Sequence, residues 1–509
     1  MLSALILAAA TYSNPILYAD YSDPDVIRAG KDYYLVASSF HFSPGIPVLK
    51  SRDLVHWKIV GHVLPKLTFA PDYDMKAPFA LTDATSKPVA PGLKYAEGVW
   101  APAIRYHDGK FYVFWPTPKE GIFMATATRP EGPWSPPVQV IAGPNYEDPC
   151  PFWDDDGQAY LIHGKVGAGP LILHRMSVDG THVLDDGKII VNDPQNLPVL
   201  EGPKLYKRDG YYYIFAPFGG VGKGAEVVLR SKNIYGPYDW KVVLSQGDTA
   251  IEGPHQGGYV ETPSGQGWFV HFNSTGAFGR IDYLEPVTWQ DDWPQMGEGG
   301  HPVSRYAMPD AGVKGDHDRL QDSDDFSTPD LGLQWEWNHN PDNTRWSLTQ
   351  RPGWLRLKAG QADYLVTARN TLTQILQGPH EIVSTRIDLS HMVDGQRAGL
   401  VLFGVKPAWI GAVRKNGETR LTFASAGVET EGPVISGRME FRAEITADQS
   451  VRFSYSRDSR HFRDFGEATP LSKFSWWKGS RPGLFTYTQG GADGGFVDID
   501  WVHVTHEAR

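Results

Sequence analysis

The sequence predicts an all-β protein, a β-propeller followed by a β-sandwich, on three observations. A proline-led phrase recurs five times before the chain's repetitive part ends. The composition, with 54 Gly, 39 Pro and 12% aromatic residues, suits many short strands joined by tight turns. No stretch shows sustained helical periodicity. At 509 residues the chain also exceeds one ordinary core, which predicts two domains.

Each phrase is a proline, a short β-like run, a turn and aromatics. In order they begin Pro24-Asp25-Val26-Ile27, Pro102-Ala103-Ile104-Arg105, Pro149-Cys150-Pro151-Phe152, Pro203-Lys204-Leu205-Tyr206 and Pro254-His255-Gln256-Gly257. Spacings near ~40–50 residues with several strands apiece are those of propeller blades. In the first unit, strands are expected at 33–38 and 47–51, then a charged turn running into Trp57. That turn-and-tryptophan signal returns at 130–134 and 234–240 and marks outer strands, where proline is tolerated. Asp108-Gly109, Asp156-Gly157 and Asp209-Gly210 supply hairpin turns needing positive φ. The acids 154–156 read as a solvated turn, because the spacing of a calcium loop is not completed.

The pattern breaks across 297–324, a Gly-rich and then polar stretch that reads as a linker packed on the surface. Alternation then resumes without the proline phrase, as in Trp335-Glu336-Trp337-Asn338 and Leu400-Val401-Leu402-Phe403, and predicts the sandwich. The expected division is a signal remnant at 1–13, a propeller at 14–300, a linker at 301–322 and a sandwich at 323–509.

A net charge of −11 disfavours a nucleic-acid partner, since no basic surface is available to neutralise phosphates. No stretch approaches the ~18–20 apolar residues of a membrane span, so no membrane partner is expected. Residues 1–10 resemble the apolar part of a secretory signal without its positive leader, which favours a secreted or periplasmic protein over a cytoplasmic one. The single cysteine, Cys150, cannot form an intrachain disulfide and is expected in the core. Abundant Trp and Tyr suit a neutral, carbon-faced ligand such as a sugar.

Carboxylates stand beside four of the five prolines. Asp23 and Asp148 precede theirs directly, and Glu201 and Glu252 stand one residue further back in Glu-Gly-Pro. Equivalent positions of a rotational repeat face one axis, so these acids converge. Glycosidic hydrolysis needs such a set: a protonated carboxyl to assist the leaving oxygen and a carboxylate to activate water or attack the sugar. The residues themselves do not rank Glu201 against Glu252.

Asn14-Pro15-Ile16-Leu17, Ser22-Asp23-Pro24-Asp25-Val26-Ile27-Arg28, Ser51-Arg52-Asp53-Leu54-Val55-His56-Trp57, Gly98-Val99-Trp100-Ala101-Pro102, Glu201-Gly202-Pro203 and Gly253-Pro254-His255-Gln256-Gly257-Gly258 resemble glycoside hydrolase family 43 across nearly all of 14–300. The rest resembles the C-terminal, concanavalin-like β-sandwich of that family's β-xylosidases and arabinofuranosidases. The resemblance implies a five-bladed propeller and single-displacement hydrolysis with inversion. It implies Asp23 as general base, Glu201 as general acid, and Asp148 as orienter and pKa modulator of that acid. Glu252 is then demoted to a structural or outer role. Phe40, Trp100, Arg280 and His255 are the implied substrate contacts.

No cofactor and no catalytic metal are expected, and a structural Ca2+ is left open, on the axis or held in the sandwich by Asp498 or Asp500. Lys204 departs from the family pattern, which places a bulky or imidazole residue after Glu-Gly-Pro, and is expected to point outward. The Gly-rich loop 488–495 is expected to reach over the propeller mouth and close it into an exo-acting pocket. The expected partner is a xylan or arabinoxylan oligosaccharide. The expected activity is an exo-acting β-1,4-xylosidase on xylo-oligosaccharides, with an α-L-arabinofuranosidase or a bifunctional enzyme as the alternative. From another class, a non-catalytic carbohydrate-binding propeller would have lost one of Asp23, Asp148 and Glu201. A protein-interaction propeller would carry Trp-Asp punctuation, which is missing here.

Overall fold

The computed structural model describes residues 10–76, 93–312, 318–490 and 494–506. Apart from three short 3-10 turns, the regular structure among these residues is β. Five four-stranded antiparallel sheets follow one another as blades, each running in chain order from an inner to an outer strand. The inner strands are Asp25–Ala29, Ala103–His107, Tyr146–Trp153, Lys204–Arg208 and His255–Glu261. Four of them begin directly after the proline of a repeated phrase, and the third contains its proline. Proline lacks an N–H, so it belongs where the ladder has not yet started.

The apolar cores lie between blades. Val36, Val48, Ile104, Val113 and Trp115 join the first blade to the second. Cys150, Ile162, Leu205 and Ile214 join the third to the fourth, which puts Cys150 in the core as expected. Closure of the ring brings the fifth inner strand so near the first that a Cβ on Gly258 would lie 2.6 Å from the Val26 amide nitrogen. Only glycine fits there.

Two further sheets pack face to face over a core that includes Leu355, Leu400, Ile410, Phe441, Phe453 and Ile499. This is the expected sandwich, and it is stitched into the propeller. Phe42–Ser43, from the first blade's own connection, pairs with Glu336–Asn338 as the end strand of one sandwich sheet. Two expectations about the ends of the propeller need correction. Thr11–Ser13, expected within a signal remnant, pairs with Arg305–Ala307, expected within a linker. The stretch beyond is also fastened to the first blade, because Lys58 Nζ meets Asp318 Oδ1 at 2.9 Å and Gln321 brackets the Ile59 backbone.

Candidate active site

The predicted acids are delivered by one local device. The residue before the proline is left-handed in four blades, at Asp23 (φ 55°), Asp148 (φ 54°), Gly202 (φ 60°) and Gly253 (φ 51°). In the first and third blades the acid itself takes this conformation. In the fourth and fifth glycine takes it, and the acid stands one residue earlier. A non-glycine residue held so costs roughly 1–3 kcal/mol and persists where the surroundings over-determine it.

Asp23 is buried and fully engaged. Arg280 Nη1 donates to its Oδ1 at 2.6 Å and Ser38 Oγ to its Oδ2 at 2.5 Å. The Arg280 guanidinium lies 4.9 Å from the Phe272 ring and 5.2 Å from Phe474, which fixes its plane. Asp148 accepts the Gly202 amide at 2.7 Å, so the third blade's acid holds the backbone next to Glu201. His255, 1% exposed, places Nε2 2.9 Å from Glu201 Oε1, off the line of a directed hydrogen bond. Glu252, by contrast, is exposed. Four equivalent positions therefore bring three acids to one place.

A cavity of about 530 Å³ holds Asp23, Asp148, Glu201, His255 and Arg280 in its wall, together with Phe40 and Trp100. Phe40 is held by two backbone hydrogen bonds with Val99 (2.8 and 3.0 Å). That pairing requires Gly98, since a Cβ there would lie 2.1 Å from the Phe40 carbonyl oxygen. The Trp100 indole donates to Ala96 O at 2.8 Å.

Two residues of the site, Glu147 and Trp477, were not singled out from sequence, and a third, Lys204, was expected to point elsewhere. Glu147 lines the same cavity, and oxygens of Glu147, Asp148 and Glu201 lie within 4.8 Å of one another. Asp23 stands outside this cluster. Burial, then the Asp148 and Glu201 charges, push the Glu147 carboxyl up to about 9. Burial, then the Glu201 charge, push Asp148 up to about 7, against the opposing pull of Lys204.

Lys204 corrects an expectation. As first residue of its inner strand it turns toward the interior and is fully buried, and its Nζ has no hydrogen-bond partner among the described residues. Fixed positive charge near Asp148 thus comes from the chain itself. The fully buried Glu226, raised by its burial, also feels that ammonium.

The other residue is Trp477. The loop expected over the mouth was 488–495, of which 491–493 lie outside the described residues. Gln489 beside them bonds within the sandwich, to Gly395 O and Asp363 O. The sandwich side chain that lines the cavity is Trp477, edge-on to Trp100 at 6.4 Å. Its segment is anchored in the propeller by Lys478 Nζ to Asp20 O (2.8 Å) and Gly479 N to Asp20 Oδ2 (2.7 Å). The acids suggested for a sandwich cation are already paired. Asp498 meets Arg351 and Arg356 at 3.0 and 2.7 Å, and Asp500 meets Arg386 at 3.0 Å.

Comparison with known proteins agrees with this architecture. Residues 12–294 match the family model described as glycosyl hydrolases family 43, and residues 323–505 match the β-xylosidase C-terminal concanavalin A-like domain. A protein of Xylanibacter ruminicola, whose name proposes a β-xylosidase, is 41% identical over 487 residues, covering 94% of this chain and 86% of that one. A non-reducing end α-L-arabinofuranosidase of Bacteroides ovatus is 33% identical over 418 residues, 78% of this chain and 74% of its own. Among solved structures, a bifunctional GH43-CE protein of Bacteroides eggerthii superposes with a TM-score of 0.86 at 30% identity, over 99% of this chain and 64% of that one. The repeated proline phrase, the acids it delivers and the sandwich that caps them have one origin: the chain belongs to glycosyl hydrolases family 43.

Proposed function

We propose that this glycoside hydrolase removes β-1,4-linked xylosyl units from the ends of xylo-oligosaccharides with inversion, using Asp23 as base and Glu201 as acid. The observation that carries the reading is the unequal setting of the acids in one cavity. Asp23 is bound by Arg280 and Ser38, while Glu201 stands among the carboxyls of Glu147 and Asp148. In a single displacement, water attacks the anomeric carbon as its proton passes to Asp23. The bond to the leaving oxygen breaks as that oxygen takes the proton of Glu201. Asp148 acts through position, since its bond to the Gly202 amide sets the backbone that carries Glu201. Aromatic faces at Phe40, Trp100 and Trp477 suit the apolar side of a pentose ring. Trp477 and its anchored segment favour a closed, exo-acting pocket over an open groove.

A second reading, α-L-arabinofuranosidase alone or with xylosidase activity, is favoured by the Bacteroides ovatus relative. One added contact separates such substrates by only ~1–3 kcal/mol. Turnover of nitrophenyl β-xyloside and nitrophenyl α-arabinofuranoside decides between them. Asp23→Ala and Glu201→Ala should each lower kcat/KM roughly 10²- to 10⁴-fold on the preferred substrate. Unchanged activity in either variant rejects the assignment. NMR of the first product should show α-xylose from the β-xyloside, and the β anomer would reject inversion.

A further inference from the structure

Glu147 is a buried carboxyl in the wall of the cavity to which the mechanism above gives no proton transfer and no contact with the sugar. Its Oε1 accepts the Ala168 amide at 3.1 Å. The Gly167 amide also faces this carboxyl, and the residue lines the cavity. The charged groups around it are unfavourable to a third negative charge. Asp148 and Glu201 lie within 4.8 Å, and the cationic side chains of the site face other groups: Arg280 faces Asp23, and Lys204 faces Asp148 and Glu226. Carboxyls this close in a desolvated wall cannot all ionise. Glu201 holds the proton meant for the leaving oxygen, and Glu147, set against Asp148, is the other carboxyl that stays neutral, which makes it a hydrogen-bond donor.

We propose that Glu147 is a specificity-determining residue: a carboxylic acid whose Oε2–H donates to a hydroxyl of the sugar bound in the cavity, with Oε1 tied to the Ala168 amide. This rests on the carbohydrate reading of the cavity. A site built to pair a hydroxyl discriminates against ligands that lack it far more strongly than an apolar wall does. Glutamine preserves both functions, since its carbonyl accepts from Ala168 and its NH2 donates to the cavity. Methionine preserves the volume and neither function.

The test compares wild type, Glu147→Gln and Glu147→Met on nitrophenyl β-xyloside and its monodeoxy analogues. Glu147→Gln should keep KM and kcat within about 3-fold of wild type. Glu147→Met should raise KM roughly 10- to 100-fold with kcat little changed, and should erase discrimination against one deoxy position alone. Wild-type KM should climb as pH rises past about 9, where the donor is lost, while that of Glu147→Gln stays level. A purely structural role would lower the melting temperature of Glu147→Met without moving KM or the deoxy pattern. An unchanged KM in Glu147→Met, or equal damage in both variants, overturns the proposal. So does a difference infrared spectrum at pH 7 in which Glu147→Gln loses no protonated-carboxyl band. Failure of the glycosidase reading looks different: wild type itself would not turn over, and Asp23→Ala would match it. The infrared band reports the Glu147 proton in either case.

Discussion

Asp23 and Glu147 show how neighbouring carboxyls of one cavity come to behave differently. Asp23 has a guanidinium at 2.6 Å, whereas Glu147 has two acids nearby and only backbone amides, of Gly167 and Ala168, to set against them. The consequence for stability follows from linkage. The Glu147 carboxyl titrates near 4.3 in an unfolded chain and is raised to about 9 in the folded protein. Between those values the native state binds the extra proton, so stability falls as pH rises across that window. Glutamine removes the titration. The melting temperature of Glu147→Gln relative to wild type should therefore increase steadily from pH 5 to pH 9, and a pH-independent difference would contradict a raised Glu147. The acids that could be read from sequence were those locked in register with a repeat: Asp23, Asp148 and Glu201. Glu147 stands two residues before its proline, as Glu201 and Glu252 do, but Asp148, directly before that proline, already supplied the blade's acid; the fate of Lys204 depended on strand phase, which a one-residue shift inverts.

The elements are positioned by their first residues. Four of the five prolines stand directly before an inner strand and the other lies within one, which is why the repeated phrase made the blades legible. The second blade lacks an acid at this point, and the segment leading into it, Gly98-Val99-Trp100, holds Phe40 by an isolated pair of backbone hydrogen bonds. Gly98 sits at φ 87°, and an added Cβ would strike the Phe40 carbonyl, which is backbone and cannot rotate away. Gly98→Ala should cost roughly 2–3 kcal/mol, seen as a lower melting temperature, and should also raise KM because Phe40 moves. Wild-type values for both would show that Phe40 is held by something other than this segment. What spacing could not reveal is the element that caps the mouth. The 474–480 segment reaches the cavity through long-range contacts, Lys478 and Gly479 on Asp20, and no local signal encodes a partner some 450 residues away. The aromatic run Phe474-Ser475-Trp476-Trp477 was its only trace in the sequence. A glycine-rich loop, 488–495, was the more conspicuous candidate, and its residues 491–493 lie outside the described ones.

At the scale of the molecule the two domains share structure rather than merely touch. The first blade lends Phe42–Ser43 to a sandwich sheet, and the sandwich lends Trp477 to the propeller's cavity. Where these exchanges meet, Arg481 donates to Glu336 Oε2 at 2.7 Å, both side chains nearly sealed from solvent, with the guanidinium 4.1 Å from the Phe42 ring. Burial works against the Glu336 charge, yet Arg481, with His62 beside it, draws the carboxyl down to about 2. A lowered folded value means that this pair stabilises the protein above the unfolded value of about 4.3, with the contribution lost as pH falls toward 2. Removing one member of a buried pair costs about 3–5 kcal/mol, because the other is left as an unpaired charge. Glu336→Gln should therefore lower the melting temperature clearly at pH 7, and the gap to wild type should shrink as both are acidified below pH 4. Because the pair sits where each domain supplies part of the other, wild type should unfold in one calorimetric transition, and the weakened variant should be the one that separates into two. Two well-resolved transitions in wild type, with Glu336→Gln shifting only one of them, would mean that the shared strand joins the domains without coupling their stability.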